Sequence, residues 1–201
     1  MRLSFRPIRL ALAVLLPAAG VAAPTLPSAA QSGPAVSYQA DRIFRDERGE
    51  QVKTTFYYTP QRQRLDFLVG TNRLITIVDK PANRIVTLDP RRKTKRTVPW
   101  QDPGWDFGLS QPGAAFTEVG PEKIGEILAV KFKAKGATGG RQVFEGFAWL
   151  TSQRIVVRLD GTVRRGDAAK RFFMETQNLK IGEPNPRLFL VPPDYDEVKG
   201  R

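Results

Sequence analysis

From Val36 onward, apolar and polar residues alternate with a period of two, and glycine-, proline- or asparagine-containing turns interrupt the pattern at short intervals. In VSYQADRIFR, Val36, Tyr38 and Ala40 oppose Ser37, Gln39 and Asp41. DERGEQ then reads as a turn, with Gly49 free to take a positive φ. VKTTFYYT follows and is broken by Pro60. RQRLDFLV sets Leu65, Phe67 and Val69 against Arg64 and Asp66. Turns at Gly70-Thr71-Asn72 and Pro81-Ala82-Asn83 lead into RLITIVD and RIVTLD, and TKRTVPW closes the first half. Strands this closely spaced predict an antiparallel meander. No stretch here shows the i, i+3, i+4 spacing of an amphipathic helix.

The second half repeats the style. EKIGEILAVKFKAKG places Lys131, Lys133 and Lys135 on one face and Val130, Phe132 and Ala134 on the other, so one face is wet and the other packed. QVFEGFAWLT, RIVVRLDG and RFFMETQNLKIG follow as strands, and Leu188–Val191 reads as a last pairing strand stopped by Pro192-Pro193. Tyr195 is expected to fold back as a plug. Between the halves lies WQDPGWDFGLSQPGAAFTEVGP, rich in proline and glycine, which predicts an irregular segment with at most one helical turn. It carries Trp100, Trp105 and Phe107, and it either covers the sheet or offers those rings to a ligand or membrane. The element count predicts a mainly β fold with little helix. A sheet this wide curls, into either a closed barrel or a half-open one that needs a cover.

Composition narrows the chemistry. The chain has 201 residues with neither cysteine nor histidine, which excludes disulfides, cysteine metal sites and the usual general base. The acidic pairs Asp102/Asp106 and Asp194/Asp196 are poor candidates for catalysis, so a non-enzyme without cofactor or metal is expected. Residues 1–30 have the layout of an export signal: Arg2, Arg6 and Arg9, then an apolar run from Leu10 to Ala23 interrupted by Pro17, then small residues. That run is shorter than the ~20 residues of a spanning helix. Ser28-Ala29-Ala30 before Gln31 is the preferred cleavage site, leaving one domain over residues 31–201 in the periplasm or outside the cell. The net charge is +12; removing those three arginines leaves +9, which favours anionic partners. In an exported chain the run Arg91, Arg92, Lys93, Lys95, Arg96 reads as a solvated turn, or as a contact with anionic lipid; nucleic acid is not an expected partner.

Several motifs recur in a telling order: Ile124-Gly125, Gly146 to Leu150, Ile155 to Arg158, Gln177 to Leu179 and Leu188 to Tyr195, preceded by TPQRQRLDF and ITIVDKPANRIVTLD. This series, from Val36 to Val198, resembles the periplasmic lipoprotein-localisation carriers (LolA/LolB-like) and related exported domains of unknown function. The resemblance implies an antiparallel sheet curled into an incomplete, half-open β-barrel whose apolar concave face holds acyl chains or lipoprotein. Half-barrel domains of envelope stress regulators resemble the same fold, which implies the alternative of a non-catalytic envelope interaction or sensor module with a protein partner. Under the first reading, the residues expected to line an apolar groove are Phe56, Tyr58, Leu65, Phe67, Phe132, Phe147 and Trp149, with Trp100, Trp105 and Phe107 from the connecting segment.

Overall fold

The computed structural model describes residues 33–100, 109–110, 113–138 and 142–198. The expected export segment therefore lies outside the described residues. The first half is the expected antiparallel meander of six strands: β1 (Tyr38–Arg45), β2 (Gln51–Tyr58), β3 (Arg62–Val69), β4 (Asn72–Asp79), β5 (Arg84–Asp89) and β6 (Thr94–Pro99). Each pairs with the next through a short turn, as its alternating pattern requires.

The second half is a meander of five strands: β7 (Ala115–Ile124), β8 (Ile127–Thr138), β9 (Gln142–Leu150), β10 (Val156–Arg165) and β11 (Ala168–Ile181). Two expectations are corrected here. Ala115–Ile124 falls largely within the stretch expected to be irregular, yet it is a regular strand interrupted by a register shift between Glu118 and Gly120. Gly120 has φ 148°, and Pro121 lacks the N–H a ladder needs. β7 is an edge strand, where an unpaired side tolerates both defects. The long strand expected from Glu122 is in fact a hairpin, turned at Gly125-Glu126 with Gly125 at φ 58°.

β1 pairs with β11, so the two meanders join by their first and last strands into one sheet with β6 and β7 far apart. The sheet curls without closing, and the expected incomplete barrel is observed. The β1–β11 seam carries an extra residue on β11 between Gln39 and Asp41, where Asn178 takes φ 52° and donates to the Asp41 carboxylate at 2.8 Å. Asparagine is among the few residues that tolerate this conformation.

Alternation sorts the side chains onto two faces. The inner face carries two apolar clusters, one around Tyr38, Ala40, Phe56 and Tyr58, the other around Ala134, Phe144, Ala148, Leu159 and Met174. Leu109, from the connection between the halves, is only 3% exposed in the second cluster and covers part of this face. The outer face carries paired charges, among them Arg64–Asp66, Arg62–Asp79 and Arg158–Glu175.

The C-terminal segment departs from expectation. Leu188–Val191 is not a strand: Pro186–Phe189 forms one 3-10 turn, capped by the Asn185 side chain on the Arg187 N–H at 3.0 Å. The chain then crosses the outer face of β3–β6. Arg64 donates to the Leu188 carbonyl at 2.6 Å, and Val191 and Tyr195 pack on Ile75, Ile77, Val86 and Leu88. Tyr195 thus does fold back onto the sheet. A two-residue strand β12 (Asp196–Glu197) pairs parallel with β6, and Glu197 accepts from the Thr97 N–H at 2.7 Å and its hydroxyl at 3.1 Å. An apolar patch on the outer side of β4 and β5 demanded a cover more strongly than Leu188–Val191 demanded a partner strand.

Candidate ligand-binding face

Cross-strand register traces the inner face residue by residue. Tyr38 stands opposite Tyr58, Ala40 opposite Phe56, Arg42 opposite Thr54 and Phe44 opposite Val52. On one side Phe56 meets Leu65 and Thr54 meets Phe67; on the other, Phe44 meets Met174 and Arg42 meets Thr176. The row continues through Leu159 and Ala148 to Phe132. Of the residues expected to line an apolar groove, Phe56, Tyr58, Leu65, Phe67 and Phe132 therefore share this surface. Tyr38 and Tyr58 stack with centroids 5.1 Å apart, and Phe56 tilts against Tyr38 at 5.9 Å.

Phe147 and Trp149 belong to the opposite phase of β9, although the Trp149 ring is buried in the same apolar cluster as Tyr38, Phe56 and Tyr58. They pair with Lys133 and Lys131, not with the apolar residues of β8. The Lys131 ammonium stands 4.7 Å from the Phe147 centroid and 4.9 Å from that of Trp149, and the Arg158 guanidinium stands 5.5 Å from Trp149. The Trp149 indole N–H donates to Glu122 at 2.9 Å. Alternation within QVFEGFAWL allows either phase to point inward; the phase of Phe144, Gly146 and Ala148 took the inner side, with the Phe144 ring buried there and Gly146 set where Gly161 of β10 approaches too closely for a larger residue. Trp100 follows β6 and is exposed. Trp105 and Phe107 lie outside the described residues, as do Asp102 and Asp106.

Among the described residues, two cavities open on the inner face, at opposite ends of the strands. One, of about 640 Å³, sits between the β1–β2 and β10–β11 turns. Phe44, Val52, Val163 and Phe172 give it an apolar interior, and Arg45, Arg165, Lys170 and Arg171 join Asp46 and Glu50 at its mouth. The other, of about 420 Å³, is lined by Phe116, Leu128, Val130, Phe132 and Leu150, with Glu118 and Arg154. Of the residues expected at the groove, only Phe132 lines either cavity. Phe44, Val163 and Phe172 were missed, although each continues an apolar phase visible in its own strand.

The basic run is divided by the turn it occupies. Arg91, Arg92 and Lys93 sit between β5 and β6, with Lys93 at φ 50°. Arg91 donates to the Asn72 side chain at 3.1 Å, and Arg92 stands 3.8 Å from Asp89. Lys95 faces the C-terminal segment and Arg96 the other side. Lys93 meets Asp194 at 2.9 Å; this hydrogen bond, with the attraction of the charges, raises the lysine and lowers the aspartate from their ordinary values. On the outer face burial pushes Asp41 up, but hydrogen bonds from Asn178, Lys53 and Thr55 and the Lys53 charge outweigh it and hold its carboxyl below the usual range. Among the described residues, no group of three carboxylates gathers as a metal site would require, and Asp194 is engaged by Lys93 while Asp196 belongs to β12.

No family model matches the chain, and no curated protein sequence matches it. Solved structures do match in fold. An uncharacterized conserved protein from Thermus thermophilus superposes with a TM-score of 0.53 at 15% identity, over 82% of this chain and 90% of that one. MucB gives a TM-score of 0.53 at 14% identity over 82% of this chain, which spans 60% of the MucB chain. A LolA superfamily protein from Nitrosomonas europaea matches at a TM-score of 0.45 and 6% identity, over 81% of this chain and 94% of that one. At these identities the likeness to the Thermus thermophilus protein and to MucB is one of fold alone.

Proposed function

We propose that this chain is an exported binding protein of the bacterial envelope that holds a lipid-like amphiphile at the open end of its half-barrel. The observation that carries the reading is the cavity of about 640 Å³, with its interior of Phe44, Val52, Val163 and Phe172 and its basic rim. Such a site suits an anionic amphiphile: the apolar interior takes an acyl chain, and Arg45, Arg165, Lys170 and Arg171 draw an anion toward the mouth. The signal-like residues 1–30 and the lipoprotein-carrier resemblance support a periplasmic setting. In that setting Arg91, Arg92, Lys95 and Arg96 are available to anionic headgroups at the membrane surface. The absence of histidine and cysteine supports binding without catalysis.

A second reading, a protein-docking module, is favoured by one observation. Much of the inner face is filled by the chain's own residues, from Tyr38 and Phe56 to Phe144 and Met174. MucB of similar fold has been solved in complex with MucA of Pseudomonas aeruginosa, with a TM-score of 0.50 and 15% identity to this chain.

Titration of the delipidated protein with the neutral fluorophore N-phenyl-1-naphthylamine separates the two readings. Amphiphile binding predicts saturable fluorescence at one site, weakened at least about tenfold by Val163→Arg, which places a charge in the cavity. It also predicts lipid co-purifying with protein isolated from the envelope. No saturable signal, no lipid and a stoichiometric protein partner together would replace this reading with the second.

A further inference from the structure

Arg42 is a cation on the apolar inner face of β1, and its side chain is almost fully enclosed at 7% exposure. Its Nη2 donates to the Tyr38 hydroxyl at 3.0 Å, and its guanidinium carbon lies 3.9 Å from the centroid of the Phe56 ring. The Nε–H is buried and has no acceptor. Among the described residues no carboxylate stands within ion-pair distance of it. An arginine keeps its charge at any ordinary pH and carries five N–H donors, so most of the hydrogen-bonding capacity of this one is unused by the protein.

The outer face shows that this chain pairs its arginines when it buries them. Arg64, nearly as enclosed as Arg42, holds Asp66 through two bonds of 2.6 and 2.9 Å, and Arg158 holds Glu175. Among the described residues no such partner is built for Arg42. Its strand neighbours are Thr54 and Thr176, whose hydroxyls are spent on the carbonyls of Arg42 at 3.4 Å and Val156 at 3.1 Å. A buried guanidinium without a counter-ion is held at a cost that a bound anion would relieve. The next residue pair along the same face, Phe44 and Val52, lines the cavity of about 640 Å³. Arg42 does not itself line that cavity; its charge lies deeper along the same inner face, over Phe56 and toward Tyr38.

We infer that Arg42, steadied by the Tyr38 hydroxyl and the Phe56 ring, is the headgroup site for an acyl ligand ending in a carboxylate or a phosphate, with its chain in the Phe44–Val163–Phe172 cavity. This rests on the amphiphile reading above and adds the polarity of binding: anionic end inward against Arg42, tail toward the rim. The planar fork of a guanidinium matches both head groups through paired N–H···O bonds.

The test is displacement of N-phenyl-1-naphthylamine from the delipidated protein by dodecanoate, dodecyl phosphate and 1-dodecanol, with sodium acetate and inorganic phosphate as tailless anions. At least one of the two anionic amphiphiles binds at least about tenfold tighter than the alcohol, and the better of them identifies the head group. Arg42→Met removes that preference while leaving dodecanol within about twofold. If Arg42→Met does not fold, Arg42→Gln carries the same comparison, since it keeps a donor for Tyr38 and loses the charge. Equal binding of acid and alcohol by the unaltered protein overturns the inference and leaves the amphiphile reading standing. So does a preference that survives both variants, or displacement by acetate or phosphate alone. Failure of the fluorophore and of all three C12 compounds to bind overturns the underlying reading itself.

Discussion

Gly146 and Gly161 face each other across β9 and β10 on the inner side of the curl. A Cβ built on Gly146 would stand 2.5 Å from the Gly161 Cα and closer still to the Asp160 carbonyl oxygen. A Cβ on Gly161 would stand 2.8 Å from the Gly146 Cα, 2.5 Å from the Glu145 carbonyl oxygen and 2.9 Å from the Phe144 ring. Non-bonded carbons prefer ~3.5–4.0 Å, so either methyl is short of room by roughly 1 Å. The obstruction is backbone on the paired strand, which cannot rotate away as a side chain tip can. Overpacking a core costs ~1–3 kcal/mol, and a backbone obstacle puts Gly146→Ala at the upper end, about 3 kcal/mol. For a domain of this size that corresponds to a fall in Tm of about 6–12 °C. Urea unfolding followed by circular dichroism measures it directly, as a lower midpoint at an unchanged m-value. The double alanine variant should cost less than the sum of the singles, because both methyls compete for one space and the strand separation that admits one admits the other. A Gly146→Ala midpoint equivalent to less than ~0.5 kcal/mol of change, the range of neutral surface substitutions, would refute the argument that this glycine pair permits the curl.

Three further outcomes follow from named contacts. Phe189 is buried where the C-terminal segment crosses β3–β6, so Phe189→Ala should lower stability by about 3 kcal/mol in the same urea assay. A native-like midpoint would mean that the segment is not part of the cooperative unit. The folded-state carboxyl of Asp41 lies below its unfolded value near 3.8, so its contribution is present above that pH and is lost as pH falls through the depressed folded value. The stability gap between the unaltered protein and Asp41→Asn should therefore be full at neutral pH and shrink below pH 3.8; a gap independent of pH contradicts this. Replacing Lys93 with alanine should let Asp194 titrate nearer its ordinary value, read by NMR of its carboxyl carbon; an unmoved titration would show the 2.9 Å contact to be absent in solution.

The curl is also what shapes the candidate site. Small residues on the inner side of β9 and β10 bring these strands close, and the large ones, Phe44, Val163 and Phe172, gather toward the turn end, where the cavity opens. While Phe144 of β9 is buried on the inner face, Phe147 and Trp149 of the same strand are paired on the charged outer one. There Lys131, Arg158 and Glu122 enclose Trp149, which is only 4% exposed. The half-barrel thus has a wet side where cations stand against Phe147 and Trp149, and an apolar side, rich in its own rings, that encloses Arg42.

Much of this was legible in the order of residues. Period-two alternation and punctuating turns are local properties, set by where successive Cβ atoms point. They were enough to place β1–β6 and the strands of the second half other than β7, to divide Lys131 and Lys133 from Phe132 and Ala134, and to predict an all-antiparallel curled sheet. What alternation cannot say is which phase of a strand faces inward when both are apolar, as in β9, or that an edge position will accept Gly120 and Pro121 as a strand. Nor does it say that the Leu188–Val191 burst will cover another strand's outer face. Those outcomes depend on pairing between residues distant in the chain: β1 with β11, β6 with β12, and Arg64 with the Leu188 carbonyl. Arg42 shows the same limit. In the sequence it is one more basic residue in a basic chain, recognisable only as a charge in the apolar phase of its strand. Burial against Phe56 and Tyr38, with no carboxylate beside it among the described residues, arose when the sheet curled and brought those rings together.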